Sequence, residues 1–213
     1  MTLPKLSTDA VVLFTTDESI KGVGLITRLR GTHAGEKSLP GVLIQERESV
    51  EVAARRAAEK IAGLDGQSLV KVTNLPLMED PFRDMRGDTR SLPVLFAVRD
   101  YENVSEENIV SLSDAWSMPL AFDHAEILYN VRQEISRAAH NCALLPELTG
   151  ITEESEREFT SRFARRAIGA LTGTVPNPGN LNRVLKNNYE NLGISSGAGT
   201  LWRAWNEDDW TIG

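Results

Sequence analysis

Apolar and polar positions along the 213-residue chain fall into two regimes. Up to about residue 143, short apolar runs alternate with amphipathic stretches. Val11–Phe14, Val23–Leu29, Leu69–Thr73 and Pro93–Val98 are rich in β-branched and large apolar residues and predict strands. Between them Val50, Ala53, Ala54, Ala57 and Ile61 recur at helical spacing, with Ser49 placed as N-cap and Gly63 as stop, which predicts a helix to about Ala62. Asp123 and Glu126 have the spacing of a capping box, and the helix they open aligns Ile127, Leu128, Val131, Ile135 and Ala138 on one stripe. The order strand, strand, helix, strand, strand, helix predicts an α/β domain.

After Pro146 the pattern changes. Thr152 and the acidic run Glu153, Glu154, Glu156 predict a helix start. Phe159, Phe163, Ala167 and Leu171 then form its buried stripe, and Gly173 ends it. Asn177-Pro178 predicts a second helix with proline at its first position and Leu181, Val184 and Leu185 on its apolar face. Gly193, Gly197 and Gly199 bracket two short segments of a hairpin. Two helices followed by a hairpin is the order of a winged helix-turn-helix, so domains over 1–143 and 144–213 are expected.

A composition of 41% hydrophobic and 25% charged residues is that of a folded chain and excludes a collagen, a rod or a disordered tail. The apolar runs fall far short of the ~20 residues that span a bilayer. No signal-peptide core follows Met1, so a cytoplasmic, membrane-free protein is expected. The single cysteine, Cys142, excludes an internal disulfide and a cysteine zinc site, and neither it nor His33 or His140 has companions at nucleophile or metal spacing. The net charge of −7 argues against general affinity for nucleic acid. Residues 159–203 run the other way, with Arg162, Arg165, Arg166, Arg183, Lys186 and Arg203 against Glu190 alone.

Leu39-Pro40-Gly41, then Glu48 to Arg56, then Ala62-Gly63-Leu64 resembles the Nudix box, a loop–helix–loop whose glutamates hold magnesium against a diphosphate. Glu48, Arg56 and Gly63-Leu64 keep the family spacing. The family's first box glycine is Val42, the glutamate after the box arginine is Ala57, and the paired glutamates a turn later are Lys60 and Ile61. Magnesium wants hard oxygen ligands, and these three positions offer one cation in place of three carboxylates. Glu59 is about 100° around the helix from Lys60 and does not substitute for it. The resemblance therefore implies a Nudix-type α/β/α sandwich with a mixed sheet that has lost hydrolysis.

Asp80-Pro81-Phe82-Arg83-Asp84-Met85-Arg86-Gly87 and Leu120-Ala121-Phe122-Asp123-His124-Ala125-Glu126-Ile127-Leu128 resemble segments of the NrtR family. These bacterial regulators of NAD or sugar metabolism join an inactive Nudix domain to a winged helix. The resemblance implies a transcriptional repressor that binds operator DNA as a homodimer and responds to ADP-ribose or a related nucleotide, with no cofactor and no metal. Asn180-Leu181-Asn182-Arg183 stands at the family's recognition-helix motif, with Leu181 replacing an aromatic residue, and Gly199–Arg203 stands at the wing. Two other readings remain: an active pyrophosphohydrolase using Glu48, Glu51 and Glu59, and a sensor whose tail binds protein.

Candidate ligand contacts are Arg28, Glu48, Arg56, Lys60, Arg83, Arg86, Arg90 and His124. Guanidinium forks match phosphate oxygens, and the alternative for Arg83, Arg86 and Arg90 is pairing with Asp80, Asp84 and Asp88. Candidate DNA contacts are Arg162, Arg165, Arg166, Asn180, Asn182, Arg183, Lys186, Asn187 and Arg203. Asn and Arg read base edges and Lys suits phosphates; the alternative is a solvated helix face, or ion pairs with local glutamates for the first three. Trp202, Trp205 and Trp210 read as core or dimer contacts.

Overall fold

Strand β1 (Lys5–Thr15) is the axis around which the N-terminal part is built. The computed structural model describes residues 4–85, 87–139, 142–154, 157–195, 197 and 199–205. The first half of β1 pairs with β5 (Gly41–Leu43) antiparallel and β7 (Thr89–Ser91) parallel; the second half pairs with β8 (Val94–Val98) parallel and β2 (Ile20–Gly24) antiparallel. With β6 (Val70–Asn74) outside β8 and β9 (Ile109–Val110) outside β2, this is a seven-stranded mixed sheet. The apolar segment Val23–Leu29 is interrupted: Leu25 donates its N–H to Asn108 O, and β3 (Ile26–Thr27) turns away to pair with β4 (Lys37–Ser38).

Both faces of β1 are covered, which explains its unbroken apolar run. Alternate side chains go to opposite sides. Ala10, Val12 and Phe14 pack under α1 (Val50–Ala58) with Ala54, Ala57, Ala58 and Ile61. Val11 and Leu13 join a second cluster with Ile127, Leu128, Val131 and Ile135 of α3 (His124–Ala138) and Leu112 and Ala115 of α2 (Leu112–Ser117). Ser49 caps α1 by accepting from Val52 N, as its position predicts, but the helix ends at Ala58, about one turn early. Gly63 lies beyond it at φ +86, where a Cβ would stand 1.9 Å from Asn103 O. The molecule therefore has a Nudix-like α/β fold, a mixed sheet between helices.

The second cluster runs on through α4 (Leu145–Leu148) into the C-terminal part, reaching Phe163, Ala167, Leu171, Leu181, Leu185 and Trp202. Each large side chain buried this way contributes about 1.5–3 kcal/mol. There β10 (Phe159–Thr160) leads into α5 (Ser161–Thr172), α6 (Pro178–Asn188) and a hairpin of β11 (Tyr189–Ser195) and β12 (Gly199–Ala204), with sheet order β10-β12-β11. The helix expected from Thr152 begins at Ser161 instead. Arg157 donates to Ile151 O and Thr152 O, Phe159 pairs with Trp202 as a strand, and Thr160 supplies the cap by accepting from Phe163 N. Gly173 ends α5 in the left-handed conformation and Asn177 caps α6, both as read from the sequence. No described helix is long and apolar enough to cross a membrane.

Candidate functional site

A cavity of about 560 Å³ opens where β1, β5, α1 and the start of α3 meet. Arg28, Arg56, Lys60, Arg83 and His124 line it together, so candidates up to 96 positions apart in the sequence share one cavity. Four cations face two carboxylates, Asp9 and Asp84, leaving a cationic pocket.

Each cation is held differently. Arg56 donates Nε and Nη2 to the Glu48 carboxylate at 2.9 and 2.8 Å and Nη2 to Leu43 O at 2.9 Å. That pairing and the Gln45 N–H hold Glu48 below the usual carboxylate range. Lys60 Nζ donates to Gly41 O. Burial, together with Arg28 and Arg56 nearby, pushes the Lys60 ammonium below its ordinary value, with Asp9 opposing. Arg28 donates Nε to Thr32 O and lies 4.6 Å over the Phe122 ring.

Arg83 is the most enclosed of the four. It is tied to Asp123 by two hydrogen bonds and reaches Asp9 at 3.2 Å, rather than pairing with its sequence neighbours. Asp123 consequently does not cap α3 with its side chain, and the predicted capping-box bond is not made. Asp9 is buried at the pocket's back. Burial alone would raise its pKa; His124 at 3.5 Å, the Ser91 hydroxyl at 2.6 Å and Arg83 outweigh that and hold it at about 2. His124 accepts from Leu39 N at its Nδ1, which leaves the Nε2–H facing Asp9.

Asp9, Phe122 and His33 were not among the candidates. Asp9 is the one charge inside an apolar strand pattern, the signal that was available. Phe122 sits at φ +56, an uncommon conformation for a non-glycine residue. Its ring is 4.7 Å from His33 and 5.4 Å from His124. His33, which has no companions at nucleophile or metal spacing, pairs with Glu36 at 3.0 Å.

The remaining candidates lie elsewhere. Arg90 stands on β7 beside Asp88, away from the pocket walls. Arg86 lies outside the described residues, as do His140 and Trp210. Glu51 turns from the pocket to Arg55 and Lys71, and the Glu59 carboxylate lies beside Gly66. Ala57 and Ile61 are fully buried. The glutamates near α1 thus point three ways, and no three of His, Cys, Asp and Glu group to hold a metal ion among the described residues. The donor set does not fit magnesium. Cys142 is buried, which pushes its thiol up to about 11.

On the C-terminal part, Asn182, Arg183, Lys186 and Asn187 line a shallow groove along α6, and all of them, with Asn180, are exposed. The first three arginine candidates are engaged, but not by local glutamates. Arg166 and Arg162 pair with Glu18 in the turn between β1 and β2, and Arg165 donates to Pro176 O. Arg203 pairs with Glu190 and Glu158. Trp202 is core, its Nε1 donating to Ser161 Oγ, whereas Trp205 is exposed.

Comparison with known proteins agrees with the fold. No family model matches the chain, and no curated protein matches it. Among solved structures, a MutT/nudix family protein from Enterococcus faecalis superposes with a TM-score of 0.70 at 20% identity, covering 96% of this chain and 89% of that one. NrtR from Shewanella oneidensis does so at 0.67 and 22%, covering 94% of each chain, and its complex with a 27mer DNA at 0.63 and 22%, covering 95% and 94%. The Nudix domain of that protein complexed with ADP ribose matches 63% of this chain and 90% of its own at 0.51 and 25% identity. These similarities establish the Nudix-like fold across nearly the whole chain.

Proposed function

We propose that this protein is a DNA-binding regulator whose Nudix-like pocket senses ADP-ribose or a related nucleotide without hydrolysing it. The observation that carries the reading is the pocket itself: a cationic cavity of nucleotide size whose nearby glutamates diverge and whose box positions are Ala57, Lys60 and Ile61. Hydrolysis of a diphosphate on this fold needs carboxylates that share a metal with the substrate, and here Glu48 and Glu51 are spent on Arg56 and Arg55. The exposed α6 face with Asn180, Asn182, Arg183, Lys186 and Asn187 is the proposed reading surface for a duplex, in a domain over 144–213 served by the sensing domain over 1–143.

In this reading the protein is a homodimer that grips a palindromic operator, acts as a repressor in NAD-related or sugar metabolism, and changes its affinity when nucleotide binds. The two structures of the Shewanella protein, with a 27mer DNA and with ADP ribose, support it. Nucleotide can act only if it binds the DNA-competent and DNA-free states unequally. The test is titration of the purified protein onto duplexes from its own upstream region, with and without ADP-ribose. Specific binding altered by nucleotide supports the proposal. Absence of DNA binding in both conditions overturns it in favour of a protein-binding tail, and magnesium-dependent turnover of ADP-ribose overturns it in favour of a hydrolase.

A further inference from the structure

We infer that the pocket holds the diphosphate of its ligand directly on fixed protein cations, with the Lys60 ammonium as the central contact, and that nucleotide binding needs no divalent metal. This rests on the nucleotide-binding reading above and specifies how the site recognises its ligand.

The side chains lining the cavity carry more positive than negative charge before any ligand arrives. A divalent cation brought among Arg28, Arg56 and Lys60 meets repulsion, and two of the carboxylates nearest them are already engaged: Glu48 with Arg56, and Asp9 with Arg83, Ser91 and His124. A phosphate meets the opposite field.

The cations differ in what they have left to give. Arg56 is committed to Glu48 and Leu43 O, and Arg83 to Asp123 and Asp9. Lys60 has Gly41 O as its hydrogen-bond partner among the described residues, and an ammonium carries three N–H donors. The others remain for phosphate oxygens, at a nitrogen already anchored on the pocket wall. Arg28 lies beside it, immobilised on the Phe122 ring with one of its five donors on Thr32 O. Such anchored donors cost little ordering entropy on binding. The site therefore does with an ammonium what carboxylates and a metal ion would otherwise do together.

The experiment is calorimetric titration of the whole protein with ADP-ribose, and separately with inorganic pyrophosphate, in chelator and in excess magnesium. The expected result is binding in chelator that magnesium does not strengthen. Lys60→Met should weaken it about tenfold or more, and Lys60→Arg should retain most of it. Binding that appears only with magnesium overturns this inference while leaving the nucleotide reading intact, as does a Lys60→Met variant that binds like the parent. Absence of ADP-ribose binding in both buffers overturns the nucleotide reading itself. A circular dichroism melt of each variant verifies that it folds.

Discussion

Arg83 grips Asp123 with two hydrogen bonds, Nε to Oδ2 at 2.7 Å and Nη2 to Oδ1 at 2.6 Å, with both side chains largely withdrawn from water. The pair ties the segment before β7 to the first turn of α3, and through Asp9 it reaches the centre of β1. Arg83 is therefore a structural hinge-pin of the pocket more than an open phosphate clamp. Arg83→Ala would leave Asp9 and Asp123 without their cation. The expected loss is about 3 kcal/mol or more, because removing one partner of an enclosed pair strands the other. Urea unfolding at neutral pH measures it. A loss of under 1 kcal/mol would show that water compensates both carboxylates.

Asp9 gives the fold a defined acid response. Its carboxyl is held at about 2 in the folded protein against 3.8 ordinarily. A depressed carboxylate contributes stability that is present above about pH 4 and drains away as the pH falls toward 2. The shift corresponds to about 2 kcal/mol. Asp9→Asn should be less stable by that order at pH 7 and should show a shallower decline between pH 4 and 2. Parallel stability curves for variant and parent would contradict the assignment.

Ile61 bears on the proposed loss of hydrolysis and on whether one substitution could reverse it. Its side chain is fully buried, and its Cδ1 lies 2.4 Å from where a Cβ on Gly24 would stand, so the isoleucine uses space that only a glycine leaves. Ile61→Glu would bury an unpaired carboxylate, at a cost of several kcal/mol. The expected variant melts far below the parent and releases no product from ADP-ribose with magnesium. A folded, hydrolysing variant would sink this account.

Much of this was legible in the residues. The Ser49 cap, the α3 stripe, the Asn177-Pro178 start of α6 and the convergence of Arg28, Arg56, Lys60, Arg83 and His124 follow from local chemistry and from spacing that resembles a known box. What escaped was tertiary. Asp123 looks like a capping residue, and nothing local says that Arg83, 40 positions away, claims its carboxylate. Thr152 looks like a helix start, and nothing local says that Phe159, seven positions on, pairs with Trp202 as a strand. Glu18 carries no sign of the arginines 148 and 144 positions downstream.

The α6 face gives a test that separates reading from gripping. Arg183 and Lys186 are exposed, and neither side chain has a hydrogen bond or ion pair among the described residues. Arg183→Ala should cost about 1–3 kcal/mol on a specific duplex and relax preference at one base pair. Lys186→Ala should weaken all duplexes alike and lower the salt slope by about one per half-site. Fluorescence anisotropy on specific and scrambled duplexes at several salt concentrations reads both effects. Two variants that bind as the parent does would place the reading surface off α6.

Glu18 makes the last prediction. It projects from the turn between β1 and β2 and pairs with Arg166 and Arg162, so part of the cationic surface of α5 is already neutralised from within the chain. The pair is exposed, and such pairs are worth about 0–1 kcal/mol. On the proposed DNA-binding reading, a duplex phosphate reaching α5 would have to overcome that local attraction. Glu18→Gln removes the competitor and leaves the fold otherwise intact. Its melting temperature should stay close to the parent's, while affinity for a scrambled duplex at low salt should rise about two- to fivefold. The gain should fade as salt is raised, because it is Coulombic. Arg166→Ala in the Glu18→Gln background should then remove most of the gain. An unchanged low-salt affinity would mean that Arg162 and Arg166 face away from the duplex and that their pairing with Glu18 serves only to join α5 to the β1–β2 turn.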